Sequence, residues 1–230
     1  MSENKFNVLL SFPRSGNTWV RYIVEYISKR PTCQSPIRMS SAGILNKKDV
    51  IGSEIDLGVD VSKKAILLKR HRFDFNWDDW NKDTCRLLFL IRDYREAIIR
   101  HAAASRKIND IKTINKCIEG YMHCLESFHN FDGDKQIIYY EDLILAPEKE
   151  VKKIAIFLNI NDQKIIQQFF KHYNAHKAKS INYYKPGSMT KGNSNKLKWH
   201  SSRANKKTID IIQNTIKNNQ LYNKYLKRYG

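Results

Sequence analysis

The chain is short of acidic residues, of cysteine and of long apolar runs. Asp and Glu number 23 against 41 Lys and Arg, a formal net charge of +18 over 230 residues. Such a surface attracts anions, but charge alone does not choose among a nucleotide, a nucleic acid and an anionic polysaccharide. The four cysteines, Cys33, Cys85, Cys117 and Cys124, form no C-x-x-C pair and no His/Cys spacing suited to zinc. They read as reduced thiols packed in a core. No apolar run approaches the roughly 18 residues of a membrane span, and Met1 to Lys5 lead directly into a strand-like run without a signal peptide. A soluble, cytoplasmic protein is expected, with a homodimer left open. No internal repeat and no composition boundary divides the chain, so 1–230 reads as one domain. The pattern Gly-Lys-Ser/Thr of the usual phosphate loop is also missing, which disfavours a magnesium-dependent nucleotidase.

What is present begins at residue 6. Asn7 to Ser11 is an apolar run of strand length, Pro13 to Asn17 is built from turn formers, and Val20, Ile23, Val24 and Ile27 recur at helical spacing. Strand, tight loop and helix in that order aim backbone N–H groups at one point, with Gly16 allowing close approach. Such a loop holds an anion. Ser-Gly-Asn-Thr alone would also serve as a plain turn and helix cap; the complete string Pro13-Arg14-Ser15-Gly16-Asn17-Thr18-Trp19 is far more specific.

Further strand candidates are Ala65 to Lys69, Thr84 to Ile91 and Gln136 to Tyr140. Between and after them lie helical patterns at 93–101, 108–131, 147–158, 163–173 and 205–229, while 31–58 and 177–203 read as irregular. Strands alternating with helices predict an α/β fold, a central mostly parallel sheet with helices on both faces.

The string at 13–19 resembles the 5′-phosphosulfate loop of sulfotransferases that use 3′-phosphoadenosine 5′-phosphosulfate (PAPS) and release 3′-phosphoadenosine 5′-phosphate (PAP). The resemblance implies a P-loop-like fold and assigns roles by position. Arg14 would touch the transferring sulfuryl group and bridging oxygen; Ser15, Gly16, Asn17 and Thr18 would line the 5′-phosphate, and Trp19 would pack on adenine. Lys69-Arg70-His71 matches the family's Lys-x-His, making His71 the base and Lys69 its electrostatic partner; a neutral imidazole suits that task. His71 could instead belong to a solvated basic loop, and His101 is the rival base.

Arg92, directly after a strand, matches a 3′-phosphate ligand, whereas Arg100 stands where the family has Ser. Arg100 would bind the same phosphate through its guanidinium fork, contact the acceptor, or remain a surface cation. Tyr140 opens Tyr-Glu-Asp-Leu, whose Tyr contacts adenine in the family; it also reads as a buried strand aromatic. Lys191 and Gly192 partly match a closing segment over the nucleotide, with Thr190 in place of Arg and Trp199 displaced by two residues.

The reaction implied is sulfuryl transfer from PAPS to a small-molecule or glycan hydroxyl or amine, with no metal. Phe73, Phe75, Trp77 and Trp80 would line a pocket for a ring-bearing acceptor or pack a turn. The competing readings are a P-loop nucleotide kinase and a non-catalytic module binding nucleic acid or another polyanion, nucleic acid being the less favoured partner.

Overall fold

The computed structural model describes residues 5–34, 57–71, 82–182 and 201–230. Its centre is a five-stranded sheet with every neighbouring pair parallel: β1 (Phe6–Leu10), β2 (Thr32–Cys33), β3 (Leu67–Arg70), β4 (Cys85–Ile91) and β5 (Lys135–Tyr139). Their spatial order is β2-β3-β1-β4-β5. Because β1 is central, the chain builds outward to one side through β3 and β2 and to the other through β4 and β5. Leu10 lies in register with both Arg70 and Phe89, so β1 and β3 finish together and β4 runs two residues further. The crevice beyond those ends is where open α/β sheets place ligands.

The central strands β1 and β4 are mostly apolar because both faces are covered. Val8, Leu10, Leu87, Phe89 and Ile91 point into one core; Leu9, Leu88 and Leu90 point into the other. Helices α1 (Asn17–Ser28), α5 (Pro147–Phe157) and α6 (Gln163–Lys171) supply the second layer. The first is covered by α2 (Tyr94–Ala104) and α3 (Ile111–Asn130), then by α8 (Lys206–Lys217) and the short α9 (Tyr222–Tyr225). The short α4 (Tyr140–Leu145) and α7 (Tyr173–Asn182) complete the described helices.

Helix starts follow the side chains available to cap them. The carboxylates of Asp93, Asp110 and Asp162 accept from Arg95, Thr113 and Ile165 N–H groups, and Pro147 occupies the first turn of α5. Two expectations are corrected. Tyr140 is not a strand residue: β5 ends at Tyr139 and Tyr140 opens α4. Residues 177–182, expected to be irregular, belong instead to α7, an unbroken Gly- and Pro-free run from 173 to 182. Thr32–Cys33 also pairs as an edge strand within a stretch read as irregular. All four cysteines are buried, and none forms a disulfide.

Candidate functional site

The loop between β1 and α1 is shaped by two residues in the left-handed region, Arg14 at φ 67° and Gly16 at φ 106°. Gly16 occupies the N-cap position and therefore offers no capping side chain, and the first turn of α1 carries no acid. The N–H groups of Asn17 and Thr18, which open the helix, consequently have no acceptor among the described residues. Together with the helix dipole they favour an anion at this point. Asn17 turns its side chain backward, where its Oδ1 accepts from the Ser11 hydroxyl. Ser15 Oγ is buried with no hydrogen-bond partner among the described residues, an orphan that a ligand oxygen would satisfy.

His71, just past β3, leans on the same loop. Its Nδ1 lies 2.8 Å from the Ser11 carbonyl, and a carbonyl only accepts, so Nδ1 carries the proton and Nε2 presents a bare lone pair. Burial, with help from Lys69, lowers its pKa to about 4, keeping the ring neutral at physiological pH. Lys69, one residue inside the strand end, is also depressed to about 8 by burial and by Arg21, Arg14 and Arg70. His101, on α2, packs edge-on against Phe12 with ring centroids 5.3 Å apart.

Beyond β4, Arg92 donates from Nη1 to the Arg14 carbonyl at 3.2 Å, and its guanidinium carbon lies 4.2 Å from the Tyr140 ring centroid. Arg92 is 6% exposed, and its Nε has no partner among the described residues. Glu96 is shared: its Oε2 lies 3.9 Å from Arg92 and accepts from Arg100 Nε at 3.0 Å. Arg100 is thus not a loose surface cation; it is largely buried, one turn beyond Glu96. Tyr140 closes the arrangement, its ring lying where a side chain at Gly16 would begin. Trp19 is buried in the layer beneath, against Tyr22, Phe169 and Tyr173.

The carboxyl ends of β1, β3 and β4, with α2 and the start of α4, therefore bring together Arg14 to Thr18, Lys69, His71, Arg92, Arg100 and Tyr140, with Trp19 adjoining. Glu96 pairs with both Arg92 and Arg100, and among the described residues Ser15 Oγ and Arg92 Nε have no hydrogen-bond partner. This donor set fits a nucleotide bearing phosphate at two ends. Among the described residues no group of three or more His, Cys, Asp or Glu side chains could hold a metal ion.

Comparison with known proteins identifies the family. The family model described as Sulfotransferase domain matches residues 7–222. The chain belongs to the sulfotransferase domain family.

Relatives of this sulfotransferase domain include protein-tyrosine sulfotransferase of Drosophila melanogaster, 31% identical over 84 residues, or 33% of this chain and 16% of that protein. Sulfotransferase 1B1 of Mus musculus is 25% identical over 188 residues, covering 72% of this chain and 62% of that protein. The chain thus spans less than two thirds of these curated relatives. The crystal structure of mouse sulfotransferase SULT7A1 complexed with PAP superposes with a TM-score of 0.58 at 16% identity, over 98% of this chain and 88% of that one. That likeness establishes the shared fold.

Lys191, Gly192, Trp199 and the aromatic group at 73–80 lie outside the described residues. Sequence reasoning missed Lys177, on α7, whose ammonium lies 4.3 Å from the Trp19 ring centroid. The absence of Gly and Pro from 159 to 182 was the available signal that helices continue past Tyr173. It also missed Ser11 and Glu96, whose roles are set by partners far along the chain or one helical turn away. Among the described residues no helix is long and apolar enough to cross a membrane.

Proposed function

We propose that this sulfotransferase domain moves a sulfuryl group from PAPS to a hydroxyl or amine acceptor and releases PAP. The observation that carries the reading is the hydrogen bond from His71 Nδ1–H to the Ser11 carbonyl, which fastens a neutral base to the anion-binding loop. The nucleotide supplies an activated sulfuryl group on a phosphoanhydride-type bond. Arg14 and the open amides of Asn17 and Thr18 hold its 5′ end, with Ser15 Oγ donating into the same space. Arg92 and Arg100 meet the 3′-phosphate, and Trp19 and Tyr140 face the base.

His71 Nε2 takes the proton from the acceptor as its oxygen or nitrogen bonds to sulfur. The bond from sulfur to the bridging oxygen breaks, and its electron pair leaves with PAP. Lys69 and Arg14 offset the charge that develops on the sulfuryl and bridging oxygens, a contribution of about 10²–10³ in rate for one well-placed donor. The acceptor is a small molecule or a glycan, and the buried thiols, none in a disulfide, suit a cytoplasmic setting.

The test is calorimetric titration of the full chain with PAP and with ADP, which lacks the 3′-phosphate, followed by turnover with PAPS. PAP should bind well ahead of ADP. His71→Ala should retain PAP binding and lose about 10²–10⁴-fold in transfer. Equal binding of both nucleotides, or unchanged turnover in the variant, would refute the two-phosphate site or the base, respectively.

A further inference from the structure

Lys177 is a buried cation that the assignments above leave unused. It is 7% exposed, and its ammonium is bonded to no carboxylate among the described residues. It lies 4.3 Å from the Trp19 ring centroid and 5.8 Å from that of Tyr140. Tyr140 in turn has Arg92 at 4.2 Å. Two cations thus border one ring, Arg92 from the end of β4 and Lys177 from α7.

Magnitudes decide what this arrangement lacks. A desolvated cation–π contact supplies about 2 kcal/mol, whereas withdrawing a charge from water costs several kcal/mol even after relaxation. The aromatic faces therefore do not offset the burial of this ammonium. Burial first, and then Arg92, lower its pKa to about 7, the response of a cation kept without a counter-anion. Glu96 is already shared by Arg92 and Arg100. An anion beside Tyr140, within reach of both Lys177 and Arg92, would supply the partner that the described residues do not.

We propose that Lys177 is a further nucleotide ligand, donating from its ammonium to the 3′-phosphate alongside Arg92. This rests on the PAPS reading above and deepens it, since it supplies from α7 a cation that the strand ends and α2 do not. With Arg92 and Arg100 it makes three positive groups for one dianionic phosphate.

The test measures PAP and ADP binding by calorimetry for the wild-type chain, Lys177→Met and Lys177→Arg, with thermal unfolding to check each fold. Lys177→Met should weaken PAP by roughly 10- to 100-fold, the loss expected of one charge-assisted hydrogen bond, and leave ADP unchanged. Lys177→Arg should restore most of the PAP affinity. Should Lys177→Met fail to fold, Lys177→Gln is read in the same way. Undiminished or tighter PAP binding in the neutral variant would overturn the proposal, as would equal weakening of PAP and ADP, which marks packing or the base. A wild type that does not prefer PAP to ADP would refute the PAPS reading and Lys177 with it. A wild type that prefers PAP beside a neutral variant that keeps the preference would refute Lys177 alone.

Discussion

Gly16 meets two demands that no other residue satisfies together. Its φ of 106° lies in the region that L side chains rarely adopt, and a Cβ there would run into the ring of Tyr140. The same ring carries Arg92 on it, so displacing Tyr140 displaces the residue proposed to meet the 3′-phosphate. Gly16→Ala should cost roughly 1–3 kcal/mol of stability from backbone strain and weaken PAP by more than about tenfold, the first read by urea denaturation and the second by calorimetry. PAP affinity equal to wild type would show that the Tyr140 ring yields without consequence. The need for glycine here was legible in the sequence, because strand, turn and helix signals bracket it. The neighbour that enforces it was not, since Tyr140 is brought in by the sheet from more than a hundred residues away.

At the scale of elements, the join between β5 and α4 is held by a clasp from the end of the described chain. Glu141 is 6% exposed, with Oε1 accepting from the Asp93 N–H at 3.1 Å and Oε2 from the Tyr229 hydroxyl at 2.6 Å. Arg95 donates both to Asp93 and to the Tyr229 carbonyl, and Arg228 forms a fork with Asp142. The clasp thus ties the turn after β4, which carries Arg92, to the start of α4, which carries Tyr140. Tyr229→Phe leaves a buried Glu141 oxygen unsatisfied and should cost about 1–3 kcal/mol, seen as a lower urea midpoint with unchanged slope. A midpoint equal to wild type would mean that the clasp is dispensable. Strands and helices with clear periodicity, β4 and α3 above all, were legible because their own residues determine them. The α7 helix was not, as its sequence Tyr-Asn-Ala-His-Lys-Ala-Lys-Ser-Ile-Asn has weak apolar periodicity and is fixed by contacts of its early residues with α1.

Across the whole molecule, the parallel order was expected from alternating elements, but the sequence carries no direct record of which strands adjoin. That order is what places Lys69, His71 and Arg92 on either side of the β1 loop. Burial then makes the fold itself sensitive to acid. His71 and His176 are both held neutral, each with its pKa lowered to about 4, chiefly by burial. His176 sits under Tyr26 and Phe169, shares a 2.8 Å hydrogen bond with the Tyr22 hydroxyl and is buried, so its cation would be poorly hydrated. Between pH 4 and about 6.5 the unfolded chain binds more protons at these two sites than the folded one, so stability rises with pH and is lost as pH falls through that window. Glu141, raised by burial, acts in the opposite sense, so the contribution is isolated by difference. His176→Phe keeps the ring stack and removes one titrating group; its unfolding temperature should fall less steeply from pH 6.5 to 4 than that of the wild type. Parallel curves for the two proteins would show that His176 does not contribute to the acid sensitivity.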